Sequence, residues 1–316
     1  MKEFMPDSVK CICEDLMKRG VPGGKGPFEK TLFFRGLEES CYRLNNDRIK
    51  KYTLRCIRKR VDADGHVKGL NRPDYPPDLA IAMSLQYASC LSDEDGRYEE
   101  ALDEMMRNCR MVAAEFHSPH TLFGNCMTLQ DVYSFASCCC AGHSYDWEWM
   151  DDEDDRILAA ERIIEAWECL YRPSESVLMD GRDVMFLRVR VIPNEYVNAS
   201  HAKMTGLFLL GLCDVLESLS SWVENERCSM EDRDYALKYK DTVLRIYAQL
   251  CEKTLFRAKD GLFGDDLRYV ISEKNPPETF GSCLITYALL KGLYEKWLDD
   301  DIQDDVFGNF RKLQMH

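Results

Sequence analysis

The sequence predicts an all-α protein of antiparallel helical hairpins closed into an (α/α)6 toroid with minor β segments, and three observations predict it. Apolar residues recur at three- and four-residue spacing along nearly the whole chain. The helical runs come in pairs separated by short polar turns, the pattern of αα-hairpins. Several return runs end in the same punctuation, at Asp64–Gly65, Asp180–Gly181 and Asp260–Gly261, where glycine supplies a helix stop and a tight turn. Repeated pairs with one apolar face must bury it against their neighbours. Connections of uneven length suit a closed ring better than a solenoid of fixed period.

The elements follow in order. Leu32, Phe33, Leu37, Cys41 and Leu44 form one face, and Asn45–Asn46–Asp47 turns the chain into a second run through Ile49, Tyr52, Cys56 and Ile57. Residues 79–91 return over 98–116 after a turn at 92–96, and 129–140 return over 157–171 around an acidic loop at 150–155. Residues 205–219 pair with 232–256, and 282–298 open the last element. The helix at 7–19 and the C-terminal run share a sixth pair. Val184–Ile192 is the one stretch with β-branched alternation and reads as a β arm or surface strand. Gly20–Gly26 has the composition of a phosphate loop but neither its GxxxxGK[ST] pattern nor a preceding strand, so it reads as a connection. No Pro- or Gly-rich linker divides the chain, and residues 1–316 read as one domain.

Bulk composition excludes several classes. The 316 residues are 45% hydrophobic and 30% charged, the balance of a globular protein. A net charge of −14 repels nucleic acid and anionic membrane surfaces. No continuous apolar run approaches the roughly 18 residues of a membrane span. Residues 1–20 lack the apolar core of a secretion signal, which reads as a cytoplasmic protein. The fifteen cysteines then read as reduced thiols packed in helices. The pair Cys11 and Cys13 has no second pair or histidine at ligand spacing, so neither metal nor cofactor is expected. The acidic runs Asp151–Asp155 and Asp299–Asp305 read as solvated loops or helix ends.

In a ring of hairpins the segments just before the inner helices surround one mouth. Those segments hold Asp74 and Tyr75, then Gln130 and Asp131, then His201 and Lys203, and finally Thr279 and Phe280. Each has a structural reading. Asp74 and Thr279 suit helix caps, Asp131 suits the positive end of a helix dipole, and His201 suits a hydrogen-bonded histidine. Their joint placement before successive helices is what makes them a candidate site.

Residues Pro277–Gly292 (PETFGSCLITYALLKG) resemble the last inner helix of glycoside hydrolase families 88 and 105, the unsaturated glucuronyl and rhamnogalacturonyl hydrolases. The family pattern there is E-[TA]-S-G-S-x-x-x-x-Y-A-x-x-K-G, with Phe280 in place of one serine. Gly261-Leu262-Phe263, Phe34-Arg35-Gly36-Leu37 with Asp47 and Tyr52, and Gly206…Asp214-Val215-Leu216 resemble further family segments, so the likeness spans roughly residues 30–298. It implies hydration of a C4=C5 enol ether on an unsaturated uronic acid. An aspartic acid protonates C4, a carboxylate takes a proton from the water attacking C5, and the hemiketal rearranges to release the neighbouring sugar. The substrate would be a small oligosaccharide.

The family's catalytic aspartate lies in a segment like M-W-[LV]-D-[DG]-[LM]-Y-M. Here Met127-Thr128-Leu129-Gln130-Asp131-Val132-Tyr133-Ser134 places Gln130 in that register and Asp131 one position later. The second family aspartate falls at Pro73 or Asp74, and the W-x-R-G-N-G-W signature is reduced to His201, Lys203, Thr205 and Gly206. The resemblance thus implies Asp131 as acid/base supported by Asp74, with Gln130, Tyr75, His201, Lys203, Thr279 and Phe280 holding substrate. Two alternatives stand beside it. One is a toroid that has lost its carboxylate and binds sugar or protein without turnover. The other is an N-acyl sugar epimerase using His143 and His201.

Overall fold

Helical spacing, capping and turn chemistry account for the first hairpin. Helix α2 (Pro27–Leu44) ends where Asn45 adopts a left-handed φ of 45°, and Asn46 starts α3 (Asp47–Arg58) by accepting from Arg48 N and Ile49 N at 3.0 and 3.3 Å. The computed structural model describes residues 6–21, 27–70, 76–91, 96–115, 126–141, 153–183, 199–225 and 229–315. The chain divides into two units, 1–112 with 141–148, and 113–140 with 149–316.

The first unit contains α1 (Pro6–Arg19), the α2–α3 hairpin, a 3₁₀ turn (Pro76–Ile81) running into α4 (Ala82–Leu91), and α5 (Arg97–Glu115). Part of its core is Cys13, Leu37, Cys41 and Ile49, with Phe33, Leu44 and Tyr52 packed against them. That is the face the apolar spacing predicts, with α1 laid across it. After α3 the chain turns at Gly65, φ 81°, and Val61 bridges to Val67. The Asp62 carboxylate holds this turn by accepting from Asp64 N and His66 N, both at 2.9 Å.

The second unit begins with β1 (Cys126–Thr128), α6 (Leu129–Ala141), α7 (Glu153–Leu170), β2 (Tyr171–Arg172), β3 (Val177–Leu178) and β4 (Gly181–Asp183). It continues with α8 (Ala202–Glu224), α9 (Met230–Leu255), β5 (Phe263–Gly264), β6 (Pro277–Glu278), α10 (Thr279–Tyr294) and α11 (Gln303–Leu313). Helix α8 is its spine. Gly211 lets the backbone of Tyr133 on α6 approach within van der Waals contact, and Gly206 leaves no room beside Leu284 of α10. Ser137 of α6 donates to Asp214 of α8 at 2.6 Å in the interior. By length and composition α8 resembles a membrane span, but 72% of its most apolar window is buried in the protein, the pattern of a core helix. Cys138, Cys139, Cys140, Cys213 and Cys251 form no disulfide and are buried among these helices.

Two elements differ from the sequence reading. Asp180–Gly181 is not a tight turn: Gly181 lies in β4 opposite Thr128, in a two-stranded ladder. The acidic run after residue 299 is a helix end, one of the two readings the sequence allows: a 3₁₀ turn leads into α11, whose first turn carries Asp304 and Asp305, where a helix dipole favours acids. Asp155 is buried in the first turn of α7 instead of solvated. Val184–Ile192 and Asp74–Tyr75 lie outside the described residues.

Asp260 and Gly261 do form the expected tight turn, with φ of 53° and 82°, closed by the Lys259–Leu262 bridge. A Cβ at Gly261 would stand 2.5 Å from both Asn309 O and Leu313 N of α11. Gly261→Ala therefore combines left-handed strain with a backbone clash and is expected to cost about 2–4 kcal/mol. A thermal melt reads it, and an unchanged midpoint would show that α11 is not seated on this turn.

Candidate active site

Main-chain hydrogen bonds tie three helix starts together. The β1–β4 ladder sets Thr128 opposite Gly181, and Leu129 N at the head of α6 donates to Asp180 O at 2.9 Å. Asp180 N donates to Ala199 O at 3.0 Å, which brings in the segment before α8. Leu267 N donates to Ser200 O at 2.7 Å, and Ala202 N to Asp265 O at 2.9 Å, joining that segment to the loop after α9. The loop is held in turn to the start of α10 through the β5–β6 ladder and the bond from Asp265 N to Pro276 O at 2.8 Å. A Cβ on Gly281 would lie 2.3 Å from Lys203 N, so the first turns of α8 and α10 touch backbone to backbone. The heads of α6, α8 and α10 thus form one connected rim.

At α6, Asp131 is wholly buried, and its carboxylate faces back to Thr128. Oδ2 accepts from Thr128 Oγ1 at 2.7 Å and Thr128 N at 3.2 Å, while Asp131 N donates to Thr128 Oγ1 at 3.2 Å. This is the reciprocal geometry of a capping box, with aspartate in the place of glutamate. Gln130 is half-buried in the same turn. Successive helical residues diverge by about 100°, so the two side chains leave the helix in different directions.

At α8, His201 occupies the N-cap position with extended backbone and no side-chain cap of its own. Its main-chain N donates to Asp180 Oδ1 at 2.7 Å, and its ring Nδ1 pairs closely with Asp180 Oδ2. An acceptor-only carboxylate selects the tautomer with the proton on Nδ1. The Asp180 side chain is completely buried, whereas that of His201 is 26% exposed. The hydrogen bond to Asp180 raises the His201 pKa against the opposing effect of burial, with the charges of Asp180, Asp265 and Asp266 adding to the rise. Burial raises the Asp180 pKa, partly offset by its bonds to His201. Next to this pair, burial acts to raise Asp266, but hydrogen bonds from the Arg268 side chain and backbone outweigh it and hold the carboxylate low.

At α10, Glu278 is the N-cap, accepting from Phe280 N at 3.2 Å and from Gly281 N. The expected cap, Thr279, is instead an exposed first residue of the helix. Pairing of Pro277–Glu278 with Phe263–Gly264 keeps Glu278 extended, so it takes the cap position. Phe280 is 39% exposed, and Lys203 Nζ lies 5.6 Å from its ring centroid, a cation–π distance.

The rim therefore assembles Gln130, Asp131, His201, Lys203, Thr279 and Phe280 from the sequence-derived candidates. Asp74, Tyr75 and His143 lie outside the described residues. Asp180 is the residue the sequence reading missed as a functional group. Its local signal, an Asp-Gly pair, is that of a turn, while its partner lies 21 residues away. Among the described residues, no three His, Cys, Asp or Glu side chains are grouped so as to hold a metal ion.

No protein-family model and no curated protein matches this sequence. Solved structures do. A glycoside hydrolase from family 105 of C. acetobutylicum ATCC 824 shares 14% identity over 96% of this chain and 81% of its own, with a TM-score of 0.77. A family 88 glycosyl hydrolase from Bacteroides vulgatus shares 12% over 98% and 85%, with a TM-score of 0.68. The unsaturated glucuronyl hydrolase from Bacillus sp. GL1, responsible for glycosaminoglycan degradation, shares 12% over 97% and 82%, with a TM-score of 0.64. At these identities the likeness defines architecture, and the chain has the all-α, six-hairpin (α/α)6 fold of glycoside hydrolase families 88 and 105.

Proposed function

We infer that the chain is a glycosidase acting on short oligosaccharides that end in an unsaturated uronyl residue, by hydration of the C4=C5 enol ether. The observation that carries this reading is the joined rim of α6, α8 and α10, which sets a cation, an aromatic face and an oriented imidazole at neighbouring helix starts. Lys203 supplies a positive charge for the uronyl carboxylate, and Phe280, partly exposed beside it, offers a flat apolar face. Gln130 and Thr279 add hydrogen-bonding groups. Protonation of C4, attack of water at C5 and opening of the resulting hemiketal then release the neighbouring sugar.

Incubation with a panel of unsaturated uronyl disaccharides tests it, since hydration removes the absorbance of the enol ether. Loss of absorbance in the presence of the protein is expected. Lys203→Ala should raise KM about 10–100-fold, the worth of one charge-assisted hydrogen bond. A KM unchanged in that variant would remove Lys203 from the carboxylate site. The second reading, a carbohydrate-binding protein without turnover, is favoured by two facts: Gln130 stands in the carboxylate register, and Asp131 is engaged in its own cap. Calorimetric binding of a disaccharide whose absorbance never falls would decide for it.

A further inference from the structure

We propose that the proton of this reaction is carried by His201, with Asp180 as its positioning residue, in place of a carboxylic acid on α6. The inference rests on the glycosidase reading above. It starts from reach. A general acid must come within hydrogen-bond distance of the atom it protonates. Asp131 has no solvent-exposed surface, and its carboxylate is taken up by Thr128. Gln130 is exposed enough to meet a ligand, but an amide does not exchange a proton near neutral pH. Of the other acids on the rim among the described residues, Glu278 is bound to the first amides of α10, and Asp266 is gripped by Arg268. Asp265 faces His201 as a charge.

His201 meets requirements that Asp131, Gln130, Glu278 and Asp266 do not. Its ring is partly exposed, and it is held twice by one buried carboxylate, through the backbone N–H and through Nδ1. That double hold fixes both the tautomer and the ring plane, which is the service a buried aspartate gives to a catalytic histidine. With Nδ1 committed to Asp180, exchange with substrate falls to Nε2. Lys203 lies in the first turn of the same helix, with its ammonium over the Phe280 ring.

The proton balance closes. Protonated His201 gives the Nε2 proton to C4, the double-bond electrons form the new C4–H bond, and C5 becomes an oxocarbenium centre. Water adds to C5 and returns one proton to Nε2, which restores the imidazolium. The C5 hemiketal then opens to a ketone, and the C1 hemiacetal formed in that step expels the neighbouring sugar as its alcohol. One water is consumed, and no oxidant or metal is required.

The test compares three variants of the full chain on an unsaturated uronyl disaccharide, each checked for native circular dichroism. His201→Gln should lose 100–10,000-fold in kcat. Asp131→Asn, which can still accept from Thr128, should leave the alkaline limb of the rate profile at the parent's position, since no proton step passes through it. Asp180→Asn should shift the alkaline limb of the rate profile to lower pH, because the acid must be protonated to act and its carboxylate partner raises its pKa. Proton NMR of the imidazole, which needs no turnover, should show the same downward shift. Retained activity in His201→Gln, together with loss in Asp131→Asn, would overturn the proposal and leave the glycosidase reading standing. A parent protein that hydrates no unsaturated disaccharide would remove both. An imidazole titration unmoved by Asp180→Asn would remove Asp180 from its role.

Discussion

Gly281→Ala is expected to lower thermal stability by about 3 kcal/mol, or roughly 5–10 °C in midpoint. The added methyl would sit 2.3 Å from Lys203 N and 2.4 Å from Ala202 C. These are backbone atoms at the head of α8 and cannot rotate away as a side-chain end would. Relief requires α8 and α10 to separate, which also pulls Phe280 from Lys203. Gly36→Ala is the matched control. Gly36 lies exposed in α2, and a Cβ there meets nothing within 4 Å. Helix propensity alone then favours alanine by up to about 1 kcal/mol. A Gly281→Ala melt as high as that of Gly36→Ala would mean that the two helix starts are not in backbone contact.

The second large effect concerns Glu38 on α2. Its Oε1 is sealed from solvent. Burial raises the pKa from 4.5 to about 7, with Ser84 and Arg35 pulling in the opposite direction. The folded state therefore binds this proton more tightly than the unfolded chain. The stability it contributes is fully present below pH 4.5 and is lost as the pH rises through about 7. At about 1.36 kcal/mol per unit, the loss approaches about 3 kcal/mol. Glu38→Gln is neutral throughout, so it should match the parent near pH 5 and exceed it above pH 8. Denaturant titrations of both proteins at the two pH values read this directly, and a stability difference independent of pH would show that Glu38 ionises normally.

Much of the fold was legible because period and punctuation are local signals. The face of Leu37, Cys41 and Ile49 follows from spacing alone, and the Asn45–Asn46 turn follows from residues that tolerate a left-handed φ and cap a helix. Helix α11 was legible as a C-terminal run with an acidic helix end, but its seat on Gly261 was not, since nothing local joins residue 261 to 309 and 313. For the candidate site, the sequence names positions at helix starts and leaves their contacts open. Asp131 and Gln130 are neighbours in sequence, and no local rule says which of them is spent on the cap. The His201–Asp180 pair depends on the β1–β4 ladder and the bond from Asp180 to Ala199, contacts between segments about twenty residues apart or more. An Asp-Gly dipeptide carries no trace of them.

The rim is laced by amide and carbonyl groups, which every residue but proline possesses. Side chains at those helix heads can consequently be exchanged without unpicking the lacing, as long as Gly281 keeps its close approach. The scaffold behaves like a socket with interchangeable pins. Gln130→Asp would change the group presented at the head of α6 while the helix heads stay where the ladders put them.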